Sequence, residues 1–272
     1  MSNLYNVRLL NKFSRIRDVH ASLYFKKRGH LLKWKPNESI LDVGCGTGDL
    51  SYKYIYPMLP KDFSRFVCTD ISKTMLQQAE QQFSGIPKVQ FDILDIASEV
   101  EGQMKCTFDH IFSLYCIVWV SEQRKAFQNI YDMLKPGGEC FLIFLDRHFV
   151  MDTVFQLSER PKWKKFFPDI NKTHPFPYRF DSNPVKTITD MMKLIGYVNI
   201  KVHLERTNFV FHSAEEYIGF IKAIPNPLSL MTSEEQKNYL KESVELAYDL
   251  KIIQESVGDY ETGRFLVVYG EK

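Results

Sequence analysis

The chain has 272 residues, is 44% hydrophobic and carries a formal charge of +2. That size suits one α/β domain with an elaboration, or at most two small domains, and the near-neutral charge argues against nucleic acid or an anionic membrane as partner. The 5 cysteines are odd in number and unpatterned, which argues against a disulfide framework or zinc site and for a reduced, cytoplasmic setting. Met1 to Tyr5 shows no signal-peptide core, and no apolar run approaches about 20 residues. Residues 4–33 read as a helix, with Leu9, Phe13, Ile16, His20 and Leu23 on one face and Arg8, Asn11, Lys12, Arg15, Asp18 and Ser22 on the other. The basic stripe is either a solvated face or the substrate-facing side of an N-terminal helical lid over residues 1–38.

Ser39-Ile40-Leu41-Asp42-Val43 then enters Gly44-Cys45-Gly46-Thr47-Gly48. Ile40, Leu41 and Val43 predict a buried strand, the alternate glycines a tight turn, and Leu50 to Leu59 a helix that stops near Pro57 and Pro60. A strand that meets a helix through glycines brings backbone N–H groups to a ligand. The spacing excludes two common ligands. A dinucleotide turn has its third glycine where Asp49 stands here, and a phosphate loop needs Gly-Lys-Ser/Thr. Asp42 would repel a phosphate and attract an ammonium or sulfonium. S-adenosylmethionine joins such cations to a nucleoside and is the ligand implied; the alternative is a turn whose glycines only relieve strain.

Arg65 to Asp70 predicts a second strand, about 20 residues after the turn, as in a βαβ unit. Asp70 suits both ribose hydroxyls; its other reading is a helix N-cap, because a helical run follows Ser72. Ile71 would lie against the adenine, with Met75 as a neighbour or ordinary core. Lys88 to Ile93 is a third strand, followed by Leu94-Asp95-Ile96, with Asp92 a rival to Asp95 by register. Phe108 to Leu114 is the fourth, with Ser113 a small backbone contributor, and Gln123 to Leu134 a helix. Tyr115 and Trp119 either shield a sulfonium or pack helix on sheet. Lys135-Pro136-Gly137-Gly138 reads as a turn before a fifth strand, Glu139 to Leu145. His148, beyond it, is a general base or a structural hydrogen bonder. Trp163, Phe166, Phe167, Phe176, Tyr178 and Phe180 suggest an aromatic cap. Pro184 to Ile195 predicts a helix closed by Gly196, Val198 to Phe211 a sixth strand, and Ser213 and Thr232 the starts of two helices, the second reaching about Ile253. Gly263 to Tyr269 is the seventh strand.

Asp42-x-Gly44-x-Gly46-x-Gly48 resembles the first motif of the class I S-adenosylmethionine-dependent methyltransferases. The resemblance implies a Rossmann-like, seven-stranded, mostly parallel sheet with helices on both faces and an antiparallel last strand. Residues 39–147 would be the cofactor-binding half, and 148–272 the substrate cap and remaining strands. Gly44, Cys45, Gly46 and Gly48 would cradle the methionine and ribose, Asp42 would hold the amino group, and Asp95 and Ile96 would contact the adenine. The end of the fourth strand, Ser113 and Leu114, would lie beside the methyl group.

A narrower resemblance, to the arthropod juvenile hormone acid methyltransferases, rests on Asp70-Ile71-Ser72-x-x-Met75, Leu94-Asp95-Ile96, Phe108 to Ser113, Trp119 and Trp163-Lys164. It implies methylation of a sesquiterpenoid carboxylate held by an N-terminal Gln and by Trp119. The Gln is replaced by Arg15, aligned through Arg17-Asp18, and a His preceding the Trp is Val118. The expected reaction turns a small apolar acid into its methyl ester and leaves S-adenosylhomocysteine. A carboxylate is ionised at neutral pH, so no base is needed. The alternatives are a phenol or amine acceptor served by His148 or Tyr115, and a cofactor-binding subunit without activity. The protein is expected to be a monomer or homodimer.

Overall fold

A computed structural model describes Leu9, residues 15–254 and residues 261–272. The helix expected over 4–33 therefore falls, at 4–8 and 10–14, outside the described residues. Seven strands form one sheet: β1 (Ser39–Val43), β2 (Arg65–Asp70), β3 (Val89–Ile93), β4 (Phe108–Leu114), β5 (Leu134–His148), β6 (Val198–Thr207) and β7 (Gly263–Glu271). Their order is β3-β2-β1-β4-β5-β7-β6, with β7 antiparallel to both neighbours and the first five strands parallel. Parallel strands buried on both faces need continuous apolar runs. Alternate residues serve the two cores: Leu41, Ile111 and Leu142 belong to one, Ile40, Phe112 and Phe141 to the other.

The helices are α1 (Arg15–Arg28), α2 (Lys73–Gln82), α3 (Gln123–Met133), α4 (Phe149–Glu159), α5 (Pro161–Lys164), α6 (Ile170–Thr173), α7 (Pro184–Ile195), α8 (Ala214–Ala223) and α9 (Ser233–Asp249). On α1 the buried face is His20, Ala21, Tyr24 and Phe25, whereas Leu23 is 40% exposed. The expected face is turned because Tyr24 packs against Phe265 and Phe25 against Phe141 and Tyr54. After the glycines the chain makes a π-helical stretch, Ser51–Ile55, then a 3-10 turn, Tyr56–Met58, in place of a plain α-helix. Pro57, which has no N–H to donate, sits inside that tighter turn.

Three further boundaries differ from expectation. Lys135 to Gly138 lies within β5 as an irregularity in its pairing with β4, because Gly137 N donates to Lys272 O and Lys272 N donates to Gly138 O. β6 ends at Thr207; Phe211 instead pairs with Ile253 in an isolated bridge. α9 ends at Asp249, since Lys251 adopts a left-handed φ of 56°. The Gly196 cap, the Ser213 cap and a Thr232–Glu235 capping box form as the sequence indicates.

Two buried amides on α3 fasten the loops that leave the carboxyl end of the sheet. Asn129 Nδ2 donates to Ile96 O and Ser98 O, each at 2.7 Å. Gln123 Nε2 donates to Ile117 O at 2.8 Å and Val120 O at 2.6 Å. Removing such a donor leaves buried carbonyls unpaired, which costs about 1–3 kcal/mol. Asn129→Ala should lower stability by that amount in denaturant unfolding and speed amide exchange over residues 96–98.

Candidate functional site

At the carboxyl end of the sheet lies a cavity of about 370 Å³. Its floor is the turn after β1. Gly44 N and Cys45 N both donate to Thr69 O at 2.8 Å, and Thr69 Oγ1 donates to Asp42 O at 2.9 Å. Gly44, Gly46 and Gly48 all have positive φ, which an L side chain resists. A Cβ at Gly44 would stand 2.3 Å from Cys116 Sγ, and one at Gly48 3.0 Å from the Ala79 Cβ on α2. At Gly46 a Cβ would meet no protein atom within 4 Å, because the cavity opens there.

Asp42 is buried beneath this turn. Its Oδ2 accepts from Ser51 Oγ at 2.5 Å, a hydroxyl delivered by the π-helical stretch, and its Oδ1 has no partner. Burial pushes the carboxyl up to about 7, against the Ser51 hydrogen bond and with help from Asp70 and Asp49. Asp70 Oδ2 accepts from Gly46 N at 2.9 Å and Oδ1 from Ser72 N at 2.8 Å. Burial raises its pKa too, although these N–H groups oppose the shift. The side-chain cap of α2 is Ser72, not Asp70, so the N-cap reading fails and both Asp70 oxygens keep lone pairs for a ligand. Asp95 lines the cavity while its carboxylate orders its own loop, accepting from Ala97 N at 3.0 Å and Ser98 Oγ at 2.9 Å. Asp92 is not in the lining. Ile71, Met75, Ile96, Cys45 and Leu114 are.

The far end of the cavity is apolar. Tyr115, Trp119, His148, Met151, Phe176 and Phe220 lie there, with Phe265 from β7 and Ile224 just beyond α8. Tyr115 has a φ of 63°, a strained turn for a non-glycine residue at the end of β4, and its hydroxyl donates to Arg17 O at 2.9 Å. Burial holds that phenol well above its ordinary range. Trp119, in the 3-10 turn Ile117–Trp119, meets Phe176 edge to face at 5.4 Å. Of the six cap aromatics only Phe176 lines the cavity: Trp163 is buried and donates to Glu242 at 2.7 Å, and Phe180 is 86% exposed.

Four expected site residues lie outside the lining, each for a local reason. Arg15 is on the outer side of α1, paired with Glu216 at 2.9 Å and stacked over Phe209. Val118 is fully buried in the core. Ser113 Oγ donates to Val43 O at 2.8 Å and ties β4 to β1. Gly48 is taken up by its contact with α2. In place of Arg15, Arg17 lines the cavity, with Nη2 3.2 Å from Asp49 Oδ2 and a buried Nε without a partner. Arg17, Ser51 and Phe220 were not singled out from the sequence. Arg17 was within reach of it, being two residues from Arg15 and so about 200° round the helix. Phe220 carries no local signal, since it arrives from α8, far along the chain.

Among the described residues, three buried polar atoms of the lining thus have no protein partner: Asp42 Oδ1, Arg17 Nε and His148 Nε2. His148 Nδ1 accepts from Val150 N at 3.2 Å as the cap of α4, so the ring proton sits on Nε2. Burial drives this histidine down to about 3, with His20 adding to the shift. The lining therefore offers one unpaired acceptor and two unpaired donors. An orphaned carboxylate beside an open glycine cradle fits the ammonium end of S-adenosylmethionine.

This sheet order and glycine turn define a class I methyltransferase fold. A family model described as a methyltransferase domain matches residues 41–140. Juvenile hormone acid O-methyltransferase of Bombyx mori is 26% identical over 249 residues, covering 91% of this chain and 88% of its own. The Drosophila melanogaster juvenile hormone acid O-methyltransferase is 27% identical over 238 residues, 86% of this chain and 80% of its own. Among solved structures, Haemonchus contortus phosphoethanolamine N-methyltransferase 2 superposes with a TM-score of 0.56 at 18% identity; that complex holds S-adenosylhomocysteine. The match covers 93% of this chain and 52% of that one, so this chain spans about half its length. The chain is an S-adenosylmethionine-dependent methyltransferase. No described helix is long and apolar enough to cross a membrane.

Gly46→Ala should fold, at a cost of about 1–2 kcal/mol for the left-handed backbone, yet lose cofactor affinity in calorimetry. Gly44→Ala should lose stability as well, because its Cβ collides with Cys116. With its carboxyl pushed up to about 7 by burial, Asp42 would give up a proton on pairing with a cation, so cofactor binding should release protons. Affinity should rise from about pH 6 to about pH 7.5, where the raised carboxyl deprotonates. Calorimetry in buffers of different ionisation enthalpy reads that release, and Asp42→Asn should abolish it.

Proposed function

We propose that this methyltransferase esterifies the carboxylate of a small, largely apolar acid, of the sesquiterpenoid type represented by juvenile hormone acid or farnesoic acid. One observation carries the reading: the two residues at the apolar end of the cavity that a phenol or amine acceptor would need as bases, Tyr115 and His148, are both unable to accept a proton. Tyr115 already donates its hydroxyl proton to Arg17 O, and His148 keeps its Nδ1 lone pair on Val150 N–H. An acceptor must then arrive ionised, which a carboxylate does and a phenol or protonated amine does not. The apolar far wall suits a hydrocarbon tail, and two relatives are named for carboxyl transfer to such an acid.

In this reading Asp42 holds the cofactor ammonium, Asp70 its ribose hydroxyls, and Asp95 with Ile71 and Ile96 its adenine. When bound, S-adenosylmethionine supplies an electrophilic methyl carbon. Arg17 takes the anion-holding role first given to Arg15, and Trp119 closes the side of the acceptor. Tyr115 and Leu114 keep water from the line of transfer. Alignment in a dry site supplies the acceleration, an effect worth up to about 7–11 kcal/mol in well-oriented systems.

A panel of terpenoid acids, fatty acids, phenols and amines with labelled cofactor tests this. Methyl esters should form from apolar acids with the purified protein alone. Turnover confined to phenols or amines, or no turnover at all, would remove the proposal. Arg17→Ala should weaken use of the acid by about 10–100-fold, the worth of a charged hydrogen bond. Arg15→Ala, which removes contacts to Glu216, Val210 O and the Phe209 ring outside the cavity lining, should change it by less than about threefold.

A further inference from the structure

We infer that His148 is the group that orients the acceptor, acting as a fixed neutral hydrogen-bond donor through Nε2–H. The inference rests on the carboxylate reading above and adds to it a second residue on the anion, beside Arg17, that sets its direction.

His148 is the last residue of β5 and the N-cap of α4, so one side chain must serve both elements. Its ring is 4% exposed. One edge is fixed by the 3.2 Å bond from Val150 N to Nδ1. Another is fixed by β7: a Cβ on Gly263 would stand 2.9 Å from His148 Cδ2, so the ring lies flush against a glycine. With those two edges held the ring cannot flip, and the tautomer is set. Nε2 has no protein partner, while the residue lines the cavity. A buried N–H without a partner is costly, and a ligand acceptor offsets that cost when the site fills.

The same geometry excludes the other roles. A general base needs a free lone pair, and the only one on this ring is committed to α4. A cation would need a second proton on Nδ1, which would break the cap bond. The titratable neighbour acting on the ring is His20 of α1, which bonds Thr207 Oγ1 at 2.6 Å. No covalent change occurs at His148; it contributes direction, as an N–H dipole aimed at an oxygen that stays anionic until transfer. Discrimination follows, because acceptors that present a donor instead of a lone pair would meet the N–H head-on.

Two substitutions separate the two halves of the ring. In His148→Asn the amide oxygen replaces Nδ1 as a helix cap, and nothing replaces Nε2. In His148→Gln the terminal amide nitrogen can reach the Nε2 position, and the cap is lost. The measurements are Tm by scanning calorimetry, and kcat and KM for the best acid of the panel. H148N should keep the wild-type Tm within about 2 °C and lose about 10–100-fold in kcat/KM. H148Q should have the lower Tm and recover about tenfold in kcat/KM relative to H148N. Since glutamine cannot be a base, that recovery also separates donor from base. Activity that tracks Tm across both variants would make His148 a helix cap only. H148N with wild-type kinetics, or H148Q no better than H148N, would overturn the inference. Failure of the wild-type protein to methylate any acid would instead overturn the reading beneath it.

Discussion

Asp42 stands at the end of β1 with its carboxylate withdrawn from water, one oxygen on the Ser51 hydroxyl and the other on nothing. An isolated buried carboxylate is expensive, and a protein normally pairs or neutralises it. Here neighbouring acids, Asp70 and Asp49, make ionisation harder still. A cation on the open oxygen would relieve that cost. The glycine turn leaves room above it, the π-helical stretch brings Ser51 beneath it, and the backbone of β2 holds the turn in place.

The cavity then divides by polarity. Its floor is acidic and built from the ends of parallel strands, where loops are short and tied by Asn129 and Gln123. Its far wall is apolar and built from α4, α8 and the segment around Phe176, drawn from the second half of the chain. Arg17 lies between a glycine-loop acid and Tyr115. The charged end has the chemistry to hold a cationic ligand, and an acceptor aligned at the dry end would be free of competing water.

Most of the sheet was legible in the sequence because buried parallel strands demand uninterrupted apolar runs, and glycines and prolines mark where those runs stop. The helical caps at Ser213, Thr232 and Gly196 were legible for the same local reason. What sequence left hidden was set by tertiary contact. The widened turn after the glycines and the extension of β5 through Lys135 to Gly138 depend on partners more than a hundred residues away or on side-chain bonds beneath the turn. The phase of α1 was misjudged because the stripe through Arg15 and Asp18 reads equally well as an outer or a cavity-facing side, and only packing of Tyr24 and Phe25 against Phe265 and Phe141 leaves Arg15 outside and brings Arg17 to the cavity. Val118 and Trp119 are adjacent, yet the first is core and the second lines the cavity, a distinction set by the 3-10 turn. Phe220 and Ile224 reach the cavity through the fold alone.

The account's central claim is that the orphaned Asp42 oxygen is a cation seat. The most direct measurement is a crystal structure of the protein grown with S-adenosylhomocysteine. The account predicts the ligand's ammonium nitrogen within hydrogen-bonding distance of Asp42 Oδ1, with the homocysteine chain above Gly46. A ligand seated elsewhere, or an Asp42 Oδ1 bonded to a protein group or a buried water in that complex, would contradict it.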